Sequence, residues 1–238
     1  MKFPEALIEG RLKKRYKRFL ADVELCHSGE IVTAHCANSG SMKTLLGEGI
    51  PVWLSYSDDP KRKLKYSWQM LQLGEAMVGI NTALPNKLVE EALGVGWIAP
   101  LQGYAKLRRE VKYGKNSRID ILLENEDGAL TYVEVKNTTM LREAGIAEFP
   151  DSVTARGTKH LQELSDMVAQ GHRAAMVFLV QRDDAQRMRI ARDIDHAYGE
   201  AFDAALAAGV EAYAIGCRLD AGEIVVDRNV EIDFYSAL

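Results

Sequence analysis

Several things that would narrow the role of this chain at once are scarce in it. Of its 238 residues only three are cysteine, at positions 26, 36 and 217, an odd number with no C-x-x-C spacing. That argues against a disulfide framework and a thiolate zinc site, and predicts reduced thiols in a cytoplasmic protein. No uncharged apolar run approaches the roughly eighteen residues a membrane span requires, so no membrane partner is expected. The first twenty residues hold no apolar stretch fit for a signal peptide, and residues 11–18 are mostly Arg and Lys. Internal repeats and low-complexity segments are absent as well. Only Trp53, Trp68 and Trp97 could serve as sugar-stacking platforms, and they do not cluster in sequence, which counts against a carbohydrate-binding module.

What is present is distributed unevenly. Hydrophobic residues make up 47%, enough to bury one large core or two modest ones. The net charge of −4 conceals a division: residues 1–118 hold 19 Lys+Arg against 12 Asp+Glu, a net of +7, and the remaining 11 against 22 give −11. The N-terminal part is therefore suited to face a polyanion, and the C-terminal part concentrates carboxylates.

Short apolar alternations broken by turn residues predict strands at Leu20–Leu25, Ile31–His35 and Pro51–Tyr56, with no long helix among them. This reads as a small barrel or sandwich. Beyond a boundary near residues 70–82 the period changes. Helical spacing is expected over Leu84–Leu93, Thr154–Gln170 and Asp195–Ala208. Strands are expected at Leu107–Tyr113, Ile119–Glu124, Leu130–Lys136, Ala174–Val180 and Val210–Cys217. The order helix, three strands, helix, strand, helix, strand predicts an α/β domain around a mixed sheet. We therefore expect an α+β chain of two domains, 1–78 and 79–238.

The most informative residues are Asp120, in the otherwise apolar Ile119–Leu123, and Glu134 and Lys136, in Tyr132–Lys136. A lone carboxylate in an apolar strand costs several kcal/mol unless a cation or hydrogen-bond donors accompany it. Glu134 and Lys136 stand two apart and so share a face. If the strand of Asp120 lies beside them, two carboxylates and an ammonium meet, an oxygen donor set suited to Mg²⁺ or Mn²⁺. The alternative for so short a pattern is an internal salt bridge on a sheet face. Glu91, on the helix before the sheet, is a further candidate metal ligand. Glu110, amid Arg108, Arg109 and Lys112, is expected to be a structural ion-pair partner. Arg156, Lys159 and His160 share a helical face that could be turned toward the active edge, to bind a scissile phosphate or orient a water; a solvated face is the alternative.

The arrangement Asp120…Glu134-Val135-Lys136 within this order of elements resembles the PD-(D/E)xK, or restriction-endonuclease-like, superfamily, although Ile119 stands where its proline would be. More extensively, the chain resembles the bacterial sugar fermentation stimulation protein A family. The match is carried by Arg15 to Val23, His35 to Met42, Glu110 to Gly114, Ser117 to Asp120, Val133 to Lys136, Phe149 to Asp151 and Arg156 to Leu161. The resemblance implies an OB-like barrel joined to a nuclease-like domain, sequence-nonspecific DNA binding and an association with the regulation of sugar utilisation. If the chain is catalytic, Asp120, Glu134 and the Val135 carbonyl are expected to bind metal, and Lys136 to assist an attacking water. The rival reading is a DNA-binding regulator that keeps a nuclease fold without catalysis.

Two basic, aromatic-containing clusters are the candidate DNA surface: Lys13, Lys14, Arg15, Tyr16, Lys17 and Arg18, followed by Phe19, and then Arg62 and Lys63 within Lys61–Tyr66. Lys and Arg give sequence-independent affinity for phosphate, and an aromatic can stack on a base. On an OB-like barrel both clusters are expected to border one groove. Phe19 is expected in the core. The loop Asn38 to Ser41 is either a plain turn or a donor of backbone N–H groups to phosphate.

Overall fold

Along Leu20–Leu25 and Ile31–Cys36 every second side chain is buried, the period-two pattern of strands with one face on a core. In the computed structural model, which describes residues 1–114 and 116–234, these strands belong to a closed barrel. Its strands are β1 (Ile8–Tyr16), β2 (Leu20–Leu25), β3 (Ile31–Cys36), β4 (Pro51–Tyr56) and β5 (Tyr66–Leu73), followed by β6 (Ala76–Gly79) at the edge. Antiparallel pairs β2–β3, β1–β2, β1–β4 and β4–β5 run round the barrel, and a parallel β3–β5 pairing closes it. Leu12, Val23, Leu54, Trp68 and Leu71 fill the interior. Trp68 is wholly buried, with its indole N–H donating to the Met70 carbonyl, and is no platform for a ligand.

The second unit follows as α1 (Pro85–Gly94), β7 (Lys106–Tyr113), β8 (Ser117–Glu124), β9 (Leu130–Thr138), β10 (Met140–Glu143), β11 (Ile146–Phe149) and α2 (Ala155–Ala169). Then come β12 (Arg173–Val180), β13 (Arg187–Ile190), α3 (His196–Ala207), β14 (Glu211–Leu219), β15 (Ile224–Asn229) and β16 (Glu231–Asp233). The last four residues of the expected second domain lie outside the described residues. The central sheet has the order β15-β14-β12-β9-β8-β7, parallel across β9, β12 and β14 and antiparallel at both margins. Helices α2 and α3 cover one face through Leu161, Leu164, Tyr198 and Phe202. Helix α1 covers the other through Leu88, Val89 and Leu93, and Leu7 and Met70 join it there. Thr154 and Asp195 cap α2 and α3 by accepting from Gly157 N and Tyr198 N, which places both helix starts one residue inside the expected spans.

The α+β class and the mixed sheet with flanking helices are as the sequence predicts, and the barrel is OB-like, as the family resemblance implies. A second sheet, β10-β11-β13-β16, and strands β1, β5 and β15 were not expected. The two units are tied together. Gly79 N donates to the Gln181 carbonyl, and Met77 N to the Asp183 carboxylate. Residues at the start of the chain lie against the second unit, where Phe3 N and Leu7 N donate to the carbonyls of Gly222 and Ala221. Among the described residues no helix is long and apolar enough to cross a membrane. All three cysteines are free.

Candidate metal and nucleic-acid site

Strands β8 and β9 pair regularly from Glu124↔Leu130 to Ile121↔Val133, and there the ladder ends. The next residues are Asp120 and Glu134. Instead of a backbone carbonyl, the Asp120 carboxylate accepts from Val135 N at 2.8 Å through Oδ2, while its Oδ1 accepts from Asn86 Nδ2 at 2.8 Å. Asn86 belongs to the first turn of α1, and its Nδ2 also reaches Glu110 Oε1 at 3.3 Å. Glu110, on β7, stands opposite Asp120 on β8, between the pairs Arg109↔Ile121 and Val111↔Ile119, with a positive φ of 53°. Among the described residues it is not the ion-pair partner expected of it: Arg108 pairs with Glu124 and Arg109 with Glu90.

Glu134 is 2% exposed. Its Oε1 accepts from Lys136 Nζ at 2.7 Å and is hydrogen-bonded to His160 Nδ1. Its Oε2 is buried and has no hydrogen-bond partner among the described residues. The imidazole is itself held from behind, with Arg156 Nε donating to Nε2 at 3.3 Å, so Nδ1 carries the proton given to Glu134. The hydroxyl of Tyr113 is also buried without a hydrogen-bond partner among the described residues.

These surroundings separate the two carboxylates. Burial raises the Asp120 pKa above its ordinary value, and the Glu134 charge raises it further, against the donors Val135 N and Asn86. Burial acts on Glu134 the same way, but His160 and Lys136 outweigh it and hold that carboxyl below the usual range. Tyr113 is kept protonated by burial and then by the charges of Glu134, Glu163 and Asp120. A buried carboxylate oxygen without a donor, beside a second carboxylate, fits a hard cation; the donors available to it are Asp120, Glu134 Oε2 and the Val135 carbonyl.

Of the expected site residues, Asp120, Glu134 and Lys136 come together. Glu91 does not join them. It is an exposed residue whose carboxylate lies 2.7 Å from the amino group of Met1, because Asn86 and not Glu91 is on the α1 face turned to Asp120. His160 does reach the active edge, but buried and hydrogen-bonded to Glu134 and not open to a phosphate. Lys159 donates to Ser117 Oγ at 3.3 Å and lies 3.5 Å from Glu163, while Arg156 is exposed. Asn86 was missed by sequence reasoning. Its only mark is an amide on the first turn of a helix 34 residues before Asp120.

A cleft of about 240 Å³ adjoins Lys136 at its neighbour Asn137 and is bordered by Thr82, Asp151 and barrel residues Asn38 to Gly40. The loop is docked there, with Ser41 N and Oγ donating to the Asp151 carboxylate and Oγ also to its carbonyl. Arg15 fixes the loop from the barrel side through the carbonyls of Asn38, Gly40 and Ser41. Its guanidinium is thus an internal clamp and not the DNA contact expected. Tyr16 lies on the outer face, its hydroxyl donating to Asp22 and its ring beneath Lys14 Nζ. Phe19, expected in the core, is exposed at the turn between β1 and β2.

Comparison with known proteins gives a consistent result. Residues 14–80 match the SfsA N-terminal OB domain, and residues 83–223 match the Sugar fermentation stimulation protein RE domain. A sugar fermentation stimulation protein homolog of Rhodospirillum rubrum is 57% identical over 92% of this chain and 94% of its own length. The Maricaulis maris homolog is 52% identical over 98% and 99%. SfsA of Pyrococcus furiosus, solved in complex with Ca²⁺, is 26% identical, with a TM-score of 0.88 over 98% of both chains.

Proposed function

The chain belongs to the sugar fermentation stimulation protein family, and we propose that it binds DNA without sequence preference and carries a Mg²⁺- or Mn²⁺-dependent phosphodiesterase site. The observation that carries this reading is Glu134 Oε2, buried and unpartnered beside the Asp120 carboxylate. Asp120, Glu134 and the Val135 carbonyl would hold the ion, and the Ca²⁺ complex of the Pyrococcus furiosus relative supports an oxygen-lined cation site of this kind. Bound there, a divalent ion would polarise a phosphoryl oxygen and lower the pKa of a coordinated water.

The chain's own residues set up that chemistry. His160 and Lys136 both engage one Glu134 oxygen and leave the other without a donor among the described residues. Lys136 places an ammonium where a phosphodiester gains negative charge during hydrolysis, the electrostatic help a preorganised cation gives. Lys17 and Arg18, exposed on the barrel, supply phosphate contacts.

One observation favours a second reading. Glu134 already has a cation and an imidazole at hydrogen-bonding distance, so the site holds together as an internal network without any ion. A DNA-binding regulator of sugar-utilisation genes without catalysis would use it that way. Single-stranded, duplex and branched DNA incubated with Mg²⁺ or Mn²⁺ separates the two. Cleavage that Asp120→Ala abolishes supports the phosphodiesterase; binding without cleavage under every condition supports the regulator.

A further inference from the structure

The basic clusters of the barrel differ once their partners are followed. Along β1, Arg11 lies 3.7 Å from Glu9, Lys13 lies 2.7 Å from Glu24 and Lys14 lies 3.4 Å from Asp22. Arg15 is engaged by backbone carbonyls. In the β4–β5 connection Lys65 donates to the carbonyls of Asp58 and Asp59 and Arg62 donates to Ser67, and this stretch carries two aspartates of its own. The cations on β1 and its turn with neither an acidic partner nor a backbone acceptor among the described residues are Lys17 and Arg18. Phe19 follows them directly, 48% exposed and in none of the three apolar clusters.

This turn is built to hold its shape. Lys17 and Arg18 have φ of 49° and 63°, the left-handed region that residues with a Cβ seldom adopt. Two bonds fix them there: Arg15 Nε donates to the Arg18 carbonyl at 3.1 Å, and Cys36 N donates to the Phe19 carbonyl at 2.8 Å. The same guanidinium grips Asn38 and Gly40 on the rim of the cleft beside Asn137. A fixed frame therefore presents an exposed aromatic ring next to two cations that have no partner among the described residues.

We infer that Phe19 is a stacking platform for an unpaired nucleobase, with Lys17 and Arg18 on the flanking phosphates. The inference rests on the DNA-binding reading and sharpens it. Phosphates alone give a phenyl ring nothing to contact, and in a duplex the base faces are hidden by their neighbours. An unstacked strand offers both a π-face and phosphates within one or two nucleotides. The partner is thus single-stranded DNA or a locally opened duplex.

Fluorescence anisotropy with an oligothymidylate and with a duplex of equal length tests this on the full chain. Phe19→Ala is expected to weaken single-strand binding about tenfold, at the lower end of what one stacked base contributes. Duplex affinity and the salt dependence of single-strand binding are expected to stay unchanged, because no phosphate contact is lost. Phe19→Trp should retain the affinity and add an indole emission that is quenched on single-strand binding. Equal loss on both DNAs, no loss on either, or an added indole emission indifferent to DNA would overturn the inference. Failure of the wild type to bind any DNA would instead remove the reading on which it rests.

Discussion

Asp120 and Glu134 share a partly buried site with opposed proton preferences, and a divalent ion should change that balance measurably. The folded state raises the pKa of Asp120, so it binds that proton more tightly than the unfolded chain does. Its contribution to stability is fully present below the ordinary aspartate range and is lost as pH rises through the folded pKa. At neutral pH the ion-free protein therefore carries the cost of an ionised Asp120 beside Glu134. A cation binding the ionised form offsets it, and its effect should grow as pH rises through that pKa and fade below it. With free ion about tenfold above its dissociation constant, linkage gives about 1.4 kcal/mol. For a chain of this length that is a rise in Tm of about 3–6 °C. Asp120→Asn should remove most of this rise while leaving the fold intact. Its Oδ1 can still accept from Val135 N, and Asn86 can turn its own carbonyl oxygen toward the new amide. DNA affinity should hold or improve, since a negative charge near phosphate is deleted. Thermal melts of both proteins with and without Mg²⁺ or Mn²⁺, from acid to neutral pH, read this out, with titration calorimetry as the direct check. Equal rises in wild type and variant, or no heat of binding with or without DNA, would refute the metal site and leave the regulator as the better reading.

Three other outcomes follow from the same geometry. Lys17→Ala with Arg18→Ala should weaken binding to all DNA sequences and reduce the slope of log K against log salt by about 1–2, measured by anisotropy across salt concentrations; an unchanged slope would rule this turn out as a phosphate contact. Glu148, which is 1% exposed and bonded to both Arg142 and Arg189, should cost about 3 kcal/mol in urea unfolding when changed to Gln, since Arg189 stays buried. Burial opposes ionisation of Glu148 but the two arginines outweigh it and lower its pKa, so this stability is present above the ordinary glutamate range and lost as pH falls through the folded pKa; wild type and variant should converge in acid. A fragment beginning at Gly79 exposes the apolar face that Leu7 and Met70 cover, and should keep its α/β circular dichroism while losing about 3–6 kcal/mol of stability; a denaturation midpoint equal to that of the full chain would show that the barrel adds nothing.

What could be read in the sequence, and what could not, follows from which interactions are local. Asp120, Glu134 and Lys136 were legible because charges inside strongly apolar strands have few explanations, and strand period places Glu134 and Lys136 on one face without any tertiary information. Strand β1 was hidden by its own outer surface. Gly10 and Leu12 face inward, but the bulge between Leu12 and Lys14 breaks the alternation just where Lys13 and Lys14 dominate. The strands of the second sheet are as short as three and four residues, too short for a period to declare itself. Phe19 was misplaced because an aromatic in a run of cations is most simply explained as core. Its exposure depends on two left-handed residues, and neither is the glycine that would advertise such a turn. His160 was assigned to the right helix and to a face turned toward the active edge, but its burial against Glu134 was not foreseen. The face it shares with Leu161 and Leu164 is turned toward the sheet, which brings the ring to Glu134 and not to solvent. The decisive feature of the site is finer still. A sequence specifies that a carboxylate is present at 134, but not that both of its donors, from a neighbouring strand position and a helix 26 residues on, fall on the same oxygen and leave the other bare. That division is a property of packing between β9 and α2, and the proposed cation site rests on it.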